Sequence, residues 1–258
     1  MDDPLATGWE PDLPVRDSVL RQFIFAYADR TREMAASVGG RAERDDELSL
    51  ADLGSPFLFD NAAVVLRPPR DVGSLVDRAS AFFPGERSWV LLCAWPTPDL
   101  STHGLSLMGH PPLMLRPPFS GVAAEPAGLR IVPVANAADL DAFRRVLVEG
   151  YPLPAGQEGA IADPRVLGAL RLFLGFAGGR AVAAAGAAVH HGVVEVDWVA
   201  TLPEFRGRGF GTALTARAAA VAPELPAVLI ASDDGQPVYE RMGFLRLMRL
   251  TMWSRTGS

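Results

Sequence analysis

The spacing of apolar positions divides the chain into a run of short elements. SVLRQFIFAYADRTREMAASV (18–38) reads as a first helix, and the polar, charged GGRAERDDELSL (39–50) reads as loop. FLFDNAAVVL (57–66) suggests strand. DVGSLVDRASAFF (71–83) has helical spacing, with Val72, Leu75, Val76 and Ala79 on one stripe, and WVLLCAW (89–95) reads as a buried strand ending at Pro96. Pro and Gly then cluster without an apolar period at RPPFSGVAAEPAG, which places a linker over 117–128 between an N-terminal α/β unit (1–116) and a second unit (129–258).

The second unit is more regular. LRIVPV (129–134) is a predicted strand, followed by a helix from Asp139 to Val148 with Leu140, Phe143, Val146 and Leu147 facing inward. A short helix follows Asp163, where Pro164 suits the first turn. RLFLGFA and RAVAAAGAAV are strands joined at Gly178-Gly179, a hairpin signal. Further strands are predicted at 193–201, 227–232 and near 245–253, with helices after 209 and around 237–242. This order predicts a mixed α/β sheet.

Composition narrows the function. The 258 residues are 49% hydrophobic and 21% charged, with a net charge of -6, a balance that argues against a nucleic-acid partner. All 24 basic residues are arginine, so no side-chain amine is present to be acylated or to form a Schiff base. Cys93 stands alone in an apolar strand and fits a core position in a reducing compartment. Cys93, His103 and His110 match no zinc spacing, and no metal is expected. The acidic start lacks the pattern of a signal peptide, and the bland run 181–189 is too short to span a bilayer; a cytoplasmic protein without membrane attachment is expected.

The chemistry concentrates in FRGRGFGTAL (205–214). Gly207, Gly209 and Gly211 leave main-chain amides open at the start of a helix, where the macrodipole is positive. Arg206 and Arg208 add charge, and Thr212 adds a hydroxyl. Behind them Phe210, Ala213, Leu214, Ala218 and Val221 fall near one helical face. Such a mouth suits a pyrophosphate. It is neither a Gly-Lys-Ser/Thr phosphate loop nor a dinucleotide fingerprint.

VDWVATLPEFRGRGFGTAL resembles the acyl-CoA-binding motif of the GNAT superfamily of N-acetyltransferases, whose Arg/Gln-x-x-Gly-x-Gly/Ala pattern is met by Arg206, Gly209 and Gly211. SDDGQPVYERMGF resembles the family's second motif, and the likeness extends over roughly 129–255. The resemblance implies a splayed, bulged strand. Val199, Ala200 and Thr201 would lie along pantetheine, with Val199 offering its amide to the acyl oxygen, and residues 206 to 212 would cradle the pyrophosphate. It implies direct transfer of an acyl group from acetyl-CoA to a primary amine on a small molecule or peptide. Tyr239 would be the acid that protonates the leaving thiolate.

The base is open between Glu195 and Asp197, which alternate with Val193 and Val199 onto one face of their strand; either could instead pair with an arginine. His190 and His191 read as exposed turn residues. Tyr151-Pro152-Leu153-Pro154 and Glu158 fall where the family's acceptor-site segment varies. The N-terminal unit has no glycine motif. Its placement resembles tandem members with one degenerate half, and an unrelated α/β cap is the alternative. A monomer or homodimer is expected, and a catalytically silent acyl-CoA-binding protein is the alternative function.

Overall fold

The computed structural model describes residues 18–119, 125–151 and 163–256. Among them the first half supplies α1 (Val19–Val38), β1 (Arg41–Arg44), β2 (Leu48–Asp52), β3 (Asn61–Val65), α2 (Val72–Phe82), β4 (Trp89–Cys93), β5 (Ser106–Gly109) and β6 (Pro112–Arg116). The second supplies β7 (Arg130–Pro133), α3 (Ala137–Gly150), β8 (Arg171–Ala177), β9 (Arg180–His190), β10 (Val193–Thr201), α4 (Phe210–Ala219), β11 (Ala227–Ile230), α5 (Gln236–Arg241), β12 (Leu245–Arg249) and β13 (Thr251–Arg255).

Two mixed sheets result, ordered β1-β2-β3-β4-β13-β5 and β12-β6-β11-β10-β9-β8-β7. Each contains a parallel pair, β3 with β4 and β10 with β11, bridged in sequence by α2 and α4 respectively. Each also takes one strand from the other half. β6 pairs antiparallel with both β11 and β12, and β13 pairs antiparallel with both β4 and β5. The order β2-β3-β4-β13-β5 is thus mirrored by β9-β10-β11-β6-β12. This reciprocal strand exchange supports the two halves as copies of one plan. A cut at 117–128 would leave β6 and β13 each hydrogen-bonded into the sheet across it.

Helix α1 lies between the two sheets. Ser18 caps its start, accepting from the Arg21 amide, and Gly39 ends it with φ 79°. Phe23, Ile24 and Tyr27 pack with Val64, Val90 and Leu92 of the first sheet and Val193 and Val228 of the second. The period-2 alternation of β3 sends Ala62 and Val64 to this core, and Ala63 and Val65 to the opposite one under α2. The second sheet packs α3 and α4 through Phe143, Leu147, Phe210 and Leu214.

Three expectations change. Residues 39–50 form a hairpin, not a loop: the Asp45 carboxylate accepts from the amides of Glu47 and Leu48 and closes the turn. The charged residues sit on β1, an edge strand, where charge discourages further pairing. The single strand expected near 245–253 is two, β12 and β13, which separate into different sheets at Leu250. The histidines at 190 and 191 are half-buried and pair with α1, His190 with Glu33 at 3.0 Å and His191 with Asp29 at 2.7 Å.

Gly186 on β9 is a steric requirement of the site. A Cβ there would stand 2.7 Å from Trp198 Cε3 and 2.9 Å from Leu172 Cδ2. Gly186→Ala should therefore lower stability by about 1–3 kcal/mol, the usual cost of overpacking a filled core. Denaturant unfolding measures this, and an unchanged midpoint would contradict the packing described.

Candidate active site

The site forms where β10 leaves β11. Their parallel ladder extends only through Val194 with Ala227 and Glu195 with Val228. Beyond Glu195, β10 continues to Thr201 with no strand partner on that side among the described residues, while β11 continues along β6. The two strands diverge there, leaving β10 from Val196 to Thr201 outside the β11 ladder.

A bulge sharpens the opening. On the β9 side Asp197 pairs with Gly186 and Ala200 with Ala184, so Trp198 and Val199 together face one residue. Trp198 has φ 53°, a left-handed conformation that costs an aromatic residue about 1–2 kcal/mol. Its amide donates to Asp197 Oδ1 at 2.7 Å. The Val199 carbonyl accepts from the Tyr151 hydroxyl at 2.6 Å.

At the end of the cleft is the glycine turn. Gly207 and Gly209 have φ of 74° and 78°, which favour glycine. Gly209 is the N-cap of α4 and offers no side-chain acceptor, so the first amides of the helix (Phe210, Gly211, Thr212) have no side-chain cap among the described residues. Gly211 lies against Thr201, where a Cβ would meet Oγ1 at 3.1 Å, bringing the helix start close to the end of β10. Phe210 and Ala200 are buried beneath; Thr212 and the residues from Arg206 to Gly209 are exposed. The turn thus presents a concave set of N–H groups at a helix N-terminus, the arrangement that binds phosphate.

The two arginines of the turn have other attachments. Arg206 donates to the Thr201 carbonyl at 3.2 Å and the Gly150 carbonyl at 2.7 Å, tying the end of α3 to β10. Arg208 donates to the Glu204 carbonyl at 3.2 Å and lies over the Phe205 ring. Their backbone and their field remain directed at the turn, while their guanidinium groups brace it.

Tyr239 projects from α5, half-buried, with its ring edge-on to Phe244 at 5.9 Å. Burial, then the charge of Asp197, pushes its phenol up to about 12. Both candidate carboxylates meet one arginine, and it comes from helix α1 of the first half, not from a neighbouring strand. Arg30 Nη2 is 2.8 Å from Glu195 Oε1 and 3.2 Å from Asp197 Oδ2. Glu195 is buried and its carboxyl is raised by that burial, whereas the Asp197 side chain keeps 43% of its surface exposed. Sequence reading did not single out Arg30; an arginine inside an apolar helix was its only signal. Pro152 to Glu158 lie outside the described residues.

Cys93 is buried and its thiol is raised to about 11, as a core position dictates. Among the described residues no helix is long and apolar enough to cross a membrane.

Residues 140–244 match the family model described as Acetyltransferase (GNAT) family. No curated protein matches the sequence. Among solved structures, a GCN5-related N-acetyltransferase from Kribbella flavida superimposes with TM-score 0.65 at 24% identity, covering 90% of this chain and 96% of that one. A putative GNAT-family acetyltransferase from Novosphingobium aromaticivorans gives 0.59 at 21% identity, covering 88% and 98%. A tandem GNAT protein from the clavulanic acid biosynthesis pathway gives 0.51 at 15% identity, covering 95% and 97%, consistent with two related halves. The bulged strand running into a glycine turn and helix lies within residues 140–244, the segment that matches the GNAT acetyltransferase family model.

Proposed function

We propose that the protein is an N-acyltransferase that moves an acyl group, acetyl in the first instance, from acyl-CoA directly to a primary amine. The observation that carries this reading is the placement of a β10 edge without a strand partner beside an α4 N-terminus without a side-chain cap, among the described residues. Those two features suit the two ends of one ligand, an amide-containing arm and a diphosphate.

In this reading the amides of residues 207–212 bind the diphosphate, and the edge of β10 from Val199 to Thr201 orients the pantetheine arm. The Val199 amide is the backbone donor that takes up charge developing on the acyl oxygen. Tyr239 donates its proton to the departing sulfur. Asp197, the more exposed carboxylate, accepts the proton of the amine directly or through water, and Glu195 holds its partner Arg30 from below. The acceptor is a small molecule or peptide amine.

Turnover tests the reading. Release of free thiol from acetyl-CoA should rise with at least one member of a panel of amino acids, polyamines and peptides. Tight coenzyme A binding with no turnover on any amine would favour a silent binding protein. A pH profile adds a second check. An acid must be protonated to act, and a raised pKa moves the loss of that form to higher pH. With the Tyr239 phenol at about 12, kcat at saturating substrates should show no falling limb from this group below about pH 11. A falling limb near pH 9 that disappears in Tyr239→Phe would contradict the assignment.

A further inference from the structure

We infer that Arg30, on helix α1 of the first half, is a positioning residue for the acyl-CoA cleft: it clamps the Trp198–Val199 bulge in the form that presents the Val199 backbone. The inference rests on the acyl-CoA reading for its purpose, but the clamp itself is a matter of contacts.

The guanidinium lies between two rings, 4.6 Å from the Tyr27 centroid and 4.8 Å from that of Trp198. One of its nitrogens bonds Glu195 Oε1 and reaches Asp197 Oδ2. Asp197 turns its other oxygen to the Trp198 amide. A continuous chain therefore runs from α1 through guanidinium and carboxylate to the strained peptide of the bulge, and a second runs through the indole. Neutralising buried Glu195 would need only the first contact. The other two, to Asp197 and to the Trp198 ring, are contacts to the bulge. Gly186 fits the same design, since it leaves room for the indole on the sheet face.

Arginine suits the task because its flat face stacks on rings while its edge binds carboxylates; the compact ammonium of lysine is a point charge that cannot stack flat between two rings and fork to two carboxylates at once. The clamp also gives the first half, which has no glycine turn of its own, a role in the second half's site. Arg30 lies 165 residues from Glu195 in sequence.

The test compares wild type, Arg30→Lys, and the double variant Arg30→Met/Glu195→Leu. The double variant removes both fully buried charges together, which spares the fold an unpaired ion. Two readouts are taken: hydrogen exchange of the peptide containing residues 196–201, and coenzyme A affinity by calorimetry. Both folded variants should exchange this peptide about tenfold faster, and the double variant should bind coenzyme A about tenfold more weakly. Wild-type exchange and affinity in either folded variant would overturn the clamp. A purely stabilising role would move the melting temperature and leave both readouts unchanged. If the wild type itself binds no coenzyme A, the proposed function fails, and the exchange data still decide the clamp.

Discussion

Gly209→Val should weaken coenzyme A binding by more than about 100-fold, equivalent to about 2.8 kcal/mol. Two costs combine. Gly209 sits at φ 78°, where a β-branched residue is disfavoured, so the turn shifts or stores strain of about 1–2 kcal/mol. The new side chain also stands at the mouth of α4, among the amides proposed to hold the diphosphate. The fold has room for the substitution, because a Cβ at this position makes only an ordinary contact at 3.5 Å with Pro126 Cγ. The loss should therefore fall on ligand binding, with stability lowered by no more than the strain. Gly209→Ala carries similar strain with less bulk and should be intermediate. Calorimetry paired with denaturant unfolding separates the two costs. Wild-type affinity in a folded Gly209→Val protein would remove the turn from the site.

Tyr239→Phe should reduce kcat by about 10²–10⁴-fold while leaving coenzyme A affinity within about twofold. The ring is held by its edge-on contact with Phe244, and that packing survives in phenylalanine. What is lost is one proton donor. The amide of Tyr239 is bonded to the Gly235 carbonyl, so the helix turn that places the residue does not depend on the hydroxyl. The split between kcat and binding is the diagnostic result. An equal loss in both would indicate a packing role.

The parts of the site legible in the sequence were those carried by local pattern. Two glycines at positive φ before an apolar helix, Gly207 and Gly209, mark the turn because that backbone conformation is a local property. The hairpin at Gly178-Gly179, with φ of 57° and 82°, follows from the same chemistry. The positions of α1 and α2, and the start of α4, followed from local pattern. Tertiary partnership was not legible. The period of β13 is the same whichever sheet receives it, so its departure to β4 and β5 left no local trace. Nor did β1: its alternation is masked because an edge strand exposes most of its side chains. The carboxylates at 195 and 197 showed their common face but not their partner. Arg30 reaches them only because α1 is inserted between the sheets, an arrangement fixed by Phe23, Ile24 and Tyr27 packing on both.

The strand exchange also bears on folding. Neither sheet is complete until β6 and β13 have crossed, which ties the two halves into one cooperative structure through non-local pairs. The same cooperativity places α1 against β10 and so makes the geometry of the cleft depend on the whole chain.

The most direct measurement is a calorimetric titration of the purified full-length protein with coenzyme A. The account predicts saturable one-to-one binding with a Kd below about 1 mM, the range in which enzymes commonly meet their substrates. It also predicts competition by acetyl-CoA. Absence of binding at millimolar coenzyme A, with the protein shown to be folded, would contradict it.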